Sequence, residues 1–145
     1  MTNMSSIQNL HYALGELAYS IARADGEIQE KERKKFHDIV GAELRSGDAD
    51  FDLADIIFQI MDKEGMDAET SYNWAIKEIR LNSHYLSPEL KQTFIRIMEK
   101  VAAAYPPVTT QEQNLLDRFK ADIDPIHGDP VFYANRIKSV KLIKP

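Results

Sequence analysis

Cysteine is absent from the 145 residues, which excludes disulfides, thiolate zinc sites and a cysteine nucleophile. Long apolar runs are absent too, since none approaches the roughly 18 residues of a membrane span. The opening Met1-Thr2-Asn3-Met4-Ser5-Ser6 has neither the basic segment nor the apolar stretch of a secretory leader, so the expectation is a cytoplasmic protein. Acidic residues stop at Asp129, after which come only Arg136, Lys138, Lys141 and Lys144. The first 130 residues hold 14 basic and 23 acidic side chains, a net charge of -9 within a whole-chain charge of -5. A body this acidic repels phosphate backbones, so nucleic acid is not an expected partner. What is present is an ordinary globular balance, 43% apolar and 28% charged. That balance argues against disorder and collagen-like repetition, and the length suits one domain.

Apolar residues recur at helical spacing along most of the chain. Ile7, Leu10, Leu14, Leu17 and Ile21 form a seam over Ser6 to Ala24, at steps of three and four. A second helix carries Ile28, Phe36, Ile39, Val40 and Leu44 to near Gly47. Asp52 reads as the N-cap of a third, with Leu53, Ile56, Ile57, Ile60 and Met61 inward and a stop at Gly65. Asp67 caps a fourth to about Asn82, with Tyr72, Ala75, Ile76 and Ile79 inward and Trp74 off that stripe. Ser87-Pro88 starts a fifth that carries Leu90, Phe94, Ile97, Met98 and Val101 to Ala104. Thr109-Thr110-Gln111-Glu112 is a capping box opening a sixth to about Ala121. Turns follow at Pro125, Gly128 and Pro130, then a short helix from Phe132 to Ile137. The class is all-α, with a helical domain over 1–130 and a basic tail over 131–145. The tail either packs back on the acidic body or docks on an acidic partner or membrane surface.

Shifting the chain by 80 residues lays Leu10 on Leu90, Leu14 on Phe94, Leu17 on Ile97, Ile21 on Val101, Glu32 on Glu112 and Phe36 on Leu116. Two related helix–loop–helix units predict that Leu17, Ile21, Phe36, Ile97, Val101 and Leu116 are buried together.

The turn of the first unit reads Ile21-Ala22-Arg23-Ala24-Asp25-Gly26-Glu27-Ile28, with Glu32 on the next helix. Gly26 supplies a positive φ and Asp25 can bond its own loop backbone. Glu32, one turn before Phe36, is oddly placed for a charge. It either reaches back to cap Gln29, binds a cation, or pairs with a basic group. Asp25, Gly26, Ile28 and Glu32 match positions 5, 6, 8 and 12 of a calcium-binding EF-hand loop, but positions 1 and 3 fall on Ile21 and Arg23. A calcium loop of that type is excluded. Asp48, Asp50 and Asp52 supply the opposite half of such a loop without its glycine, and read as a helix-capping loop.

This turn resembles the TerB-like family of tellurite-resistance proteins and their relatives. The resemblance implies a helical bundle of two pseudo-symmetric helix–loop–helix units and a role in a cytoplasmic stress response. It also implies acidic residues that hold a divalent cation, calcium, magnesium or manganese, which by position are Asp25, Glu27, Glu32 and Glu112. The second unit departs from the pattern, having Tyr105-Pro106-Pro107 in place of the Asp-Gly-acid run.

His11, His37, His84 and His127 lack paired metal-ligand spacing, and no nucleophile elbow, phosphate loop or dinucleotide fingerprint is present. The expected function is therefore a non-enzymatic module binding a divalent cation or a protein partner. A helical scaffold whose acids are only caps is the alternative, and a metal-dependent enzyme ranks third because no base or nucleophile can be assigned.

Overall fold

The computed structural model describes residues 5–26, 28–43, 49–104 and 107–133, and for 49–51 the backbone alone. Six α-helices follow in order: α1 (Ser6–Arg23), α2 (Glu30–Glu43), α3 (Ala49–Glu64), α4 (Ala68–Leu81), α5 (Pro88–Ala102) and α6 (Thr110–Ile123). A 3-10 turn at Ser83–Tyr85 joins α4 to α5. No strand occurs among the described residues, as the helical spacing predicts.

Helix starts are set by the residues that satisfy orphan N–H groups. Ser5 and Gln8 form a capping box on α1, Asp67 accepts from Thr70 N at 2.9 Å, and Ser87 accepts from Leu90 N at 3.1 Å ahead of Pro88. One start differs from expectation. α3 begins at Ala49, so Asp52 lies inside the helix and does not cap it. Gly65 ends α3 at φ 65°, and Gly26 turns the chain after α1 at φ 127°, both conformations that glycine alone adopts without cost.

α1 is the central helix, packed by α3, α4, α5 and α6. Residues 13–22 are all buried. Such a helix has no polar face to spare, and here Ala13, Gly15, Ala18, Ser20 and Ala22 fill the sides that the Leu/Ile seam leaves. Gly15 lets α3 come unusually close, because a Cβ there would stand 2.5 Å from the Ala54 carbonyl oxygen and 3.0 Å from Ile57 Cβ. That contact also sets the rotation of α3. Ala54, Ile57, Phe58 and Met61 turn inward, Leu53 is partly buried, and Ile56 and Ile60, read as inward from their spacing, are 50% and 45% exposed. Trp74 on α4 is likewise 50% exposed.

Leu17, Ile21, Phe36, Ile97, Val101 and Leu116 are all buried in one core. Around it, polar ties join elements distant in sequence. Glu43 at the end of α2 accepts from Arg96 and Lys100 of α5 at 2.9 and 2.6 Å, and Arg33 of α2 pairs with Asp62 of α3. The Tyr72 hydroxyl of α4 donates to Asp122 of α6 at 2.6 Å, under an Arg118 guanidinium 4.4 Å above its ring. Past α6 the chain crosses Leu86 at Gly128, where a Cβ would stand 2.3 Å from the Leu86 oxygen. Residues 130–133 are helical, and the Phe132 ring packs against His84 and Tyr85 at 4.7 and 5.3 Å. The remainder of the expected basic tail, 134–145, lies outside the described residues.

Candidate functional site

The turn after α1 and the start of α6 come from the two ends of the chain, and the core brings them together. Gly26 N donates to Arg23 O at 2.9 Å, closing the turn that exposes Asp25. Ile28 is then buried and anchors the approach to α2. Its carbonyl accepts from Arg33 Nη2 at 3.1 Å. At the start of α2 the Gln29 N–H donates to Glu32 Oε1 at 3.1 Å. At the start of α6 the Thr109 N–H donates to Glu112 Oε1 at 3.0 Å, and Glu112 N donates to Thr109 Oγ1 at 3.1 Å, completing a full capping box. The reach-back role open to Glu32 from sequence is thus realised, and Glu112 repeats it.

Neither glutamate is an ordinary surface cap. Glu112 is 6% exposed and Glu32 is half-buried. Burial pushes the Glu32 carboxyl above its usual range against the pull of the Gln29 N–H, and the charges of Asp25 and Glu112 add to the rise. Glu112 is raised likewise by burial, with a further contribution from Asp25. Three carboxylates from two separate helix–loop–helix segments therefore repel one another at one end of the bundle. Glu32 also lines a cavity of about 10 Å³ whose other walls, including Ala22, Phe36, Phe58 and Val101, are apolar. Too small for more than one water, it explains the poor solvation of that carboxyl.

Glu27 lies outside the described residues, as does Asp48, and the side chain of Asp50 is not described. Asp52 is exposed on α3. Among the described residues no group of three or more His, Asp or Glu side chains is placed to hold a metal ion, so a closed cage of Asp25, Glu32 and Glu112 is not formed. Each glutamate commits Oε1 to a cap and leaves Oε2 without a hydrogen bond among the described residues. One or two carboxylates plus water is the usual arrangement for magnesium.

One acid escaped the sequence reading. Glu16 on α1 is 4% exposed, and burial, with the charge of Glu78 on α4 adding to it, pushes its carboxyl up to about 8. The signal for it was present, since Glu16 is the single acid between Ser6 and Ala22. It stands apart from the turn and faces α4.

A family model described as tellurite resistance protein TerB matches residues 11–124. No curated protein and no solved structure matches the chain.

Proposed function

The chain belongs to the TerB family, and from that premise we propose that it is a non-enzymatic module of a cytoplasmic, tellurite-resistance-type stress response that binds a hydrated divalent cation weakly at Asp25, Glu32 and Glu112. The observation that supports this reading is the placement of Glu32 and Glu112 at two helix starts distant in sequence, each shielded from solvent with Oε1 held by a capping N–H. A cation offsets the cost of keeping such carboxylates ionised. Oxygen donors favour magnesium, calcium or manganese over softer ions. Because Glu32 and Glu112 are raised, the ion must compete with protons, so affinity rises with pH through the range in which they ionise.

A second reading has its own support: both glutamates already serve as caps, which suits a helical scaffold for a protein partner with no metal. A groove of about 340 Å³ beside the turn, lined by Ala24, Glu69, Gln111, Asn114, Leu115 and Arg118, offers such a partner a contact surface. Calorimetric titration of metal-free protein with magnesium, calcium and manganese separates the two. The expected dissociation constant is on the order of 1 mM, weakened at least fivefold in Glu32→Gln, which keeps the capping oxygen but not the charge. Parent-like binding by the variant would remove the ion from this turn, and no binding by either protein would leave the scaffold reading standing.

A further inference from the structure

Ile56 and Ile60 stand one turn apart on the outside of α3, exposed because the contact of Ala54 with Gly15 turns the other side of that helix inward. At about 100° per residue, Asp52, Gln59 and Lys63 share their side of the helix, in a face about 100° wide. All three are exposed. Asp52 and Lys63 carry no ion pair among the described residues. The acids that flank the face toward α2 are already matched, since Asp62 pairs with Arg33, and Asp55 lies 2.9 Å from His37 Nδ1 and accepts from Gln59 Nε2 at 3.2 Å. An open groove of about 400 Å³ follows the two isoleucines, walled by Arg33, Asp62 and Lys63.

The order along this face is acid, isoleucine, isoleucine, base, and it is symmetric about one point. The midpoint of Ile56 and Ile60 is Phe58, and that of Asp52 and Lys63 falls between Ile57 and Phe58. A two-fold axis at that point lays a second α3 antiparallel beside the first. Ile56 then meets Ile60 of the second copy and Asp52 meets Lys63 of the second copy, each contact being made twice, as an isologous interface requires. Like edges of the two helices meet under that axis. Asp52, Gln59 and Lys63 lie along one edge, whereas Glu64 projects from the other, about 100° round from Lys63, beside Leu53 of the second copy rather than Asp52.

We propose that α3 is the contact helix of a reversible, antiparallel homodimer of this chain. Charge complementarity selects a second copy as the occupant, because the face is its own complement: acid and base stand at equal distances either side of the isoleucine pair. Parallel packing would set Asp52 on Asp52 and Lys63 on Lys63. The net charge of -5 per copy opposes association but is screened beyond about 8 Å at physiological salt. The ion pairs set orientation more than affinity. One helix face offers less than the roughly 800 Å² per partner of a standard interface, so the dimer is populated only at high protein concentration.

Sedimentation equilibrium of the full chain at physiological salt, from about 10 μM to about 1 mM protein, should show a mass that rises from one chain toward two. Ile60→Asn should weaken association by at least about tenfold. Asp52→Lys and Lys63→Asp should each weaken it by about fivefold, while the double exchange restores parental affinity and a mixture of the two single variants associates better than either alone. Each variant alters an exposed residue and should keep the parent's circular dichroism. Because the chain lacks cysteine, Gln59→Cys places a single thiol next to the axis. Mild oxidation should link it across the dimer and leave Lys77→Cys, exposed on α4, unlinked. A mass that stays at one chain throughout overturns the proposal and leaves the face to a partner of different sequence. Association unchanged by Ile60→Asn, a double exchange that fails to restore it, or growth past two chains overturns it as well.

Discussion

Glu112 and Glu16 are both acids with less than a tenth of their surface exposed, yet they meet burial differently. Glu112 accepts from the Thr109 N–H and hydroxyl, and the Thr-x-x-Glu pattern announces that pairing in the sequence. For Glu16 nothing opposes the rise caused by burial and Glu78, so at neutral pH its carboxyl is protonated in the folded chain. The folded state then holds a proton that the unfolded state releases above its ordinary value of 4.5. The stability Glu16 contributes is fully present below pH 4.5 and declines as pH rises, being lost once pH passes about 8. Glu16→Gln fixes the neutral form. Chemical denaturation at pH 5 and pH 9 should show little change at the lower pH and a gain of about 4 kcal/mol at the higher. Equal effects at both would mean that Glu16 is ionised throughout.

Helices interact here through small residues as much as through large ones. The crossing of α1 and α3 depends on Gly15, where an added methyl meets the Ala54 carbonyl rather than a yielding side chain. Two effects compete in Gly15→Ala. Helix propensity gains about 1 kcal/mol, and overpacking against backbone costs about 3. The expected net loss is about 2 kcal/mol, read as a lower thermal midpoint, and a stabilised variant would mean that α3 moves aside freely. The same crossing explains the misplaced face of α3. Ile56 and Ile60 satisfy helical spacing, but Ala54 must face Gly15, and that turns both isoleucines toward solvent.

At the scale of the whole molecule the two ends of the chain interlock. α2 packs on α5, α6 packs on α1, and α1 packs on α5. Neither unit can leave without uncovering the other's core. Phe36 and Phe94, on α2 and α5, are 2% and 0% exposed, and Phe36→Ala and Phe94→Ala should each remove about 4 kcal/mol. In both variants calorimetry should show one transition whose calorimetric and van't Hoff enthalpies agree. Two resolved transitions in either would show that the units fold apart.

The six long helices, the caps at Ser87 and Thr109 and the six residues of the shared core were legible in the sequence because each rests on a local rule: a side chain three residues from an N–H, or an apolar residue every third or fourth position. The TerB turn was legible as well, since Asp25-Gly26 and Glu32 lie within one short segment. Tertiary structure alone decided which way α3 faces, that Glu16 is buried against Glu78, and that Asp25, Glu32 and Glu112 share one end of the bundle without forming a three-carboxylate cage. These outcomes depend on where helices far apart in the chain come to rest. Periodicity says that a helix has an inner face, but only close packing against a particular neighbour, down to a missing methyl at Gly15, chooses which residues occupy it.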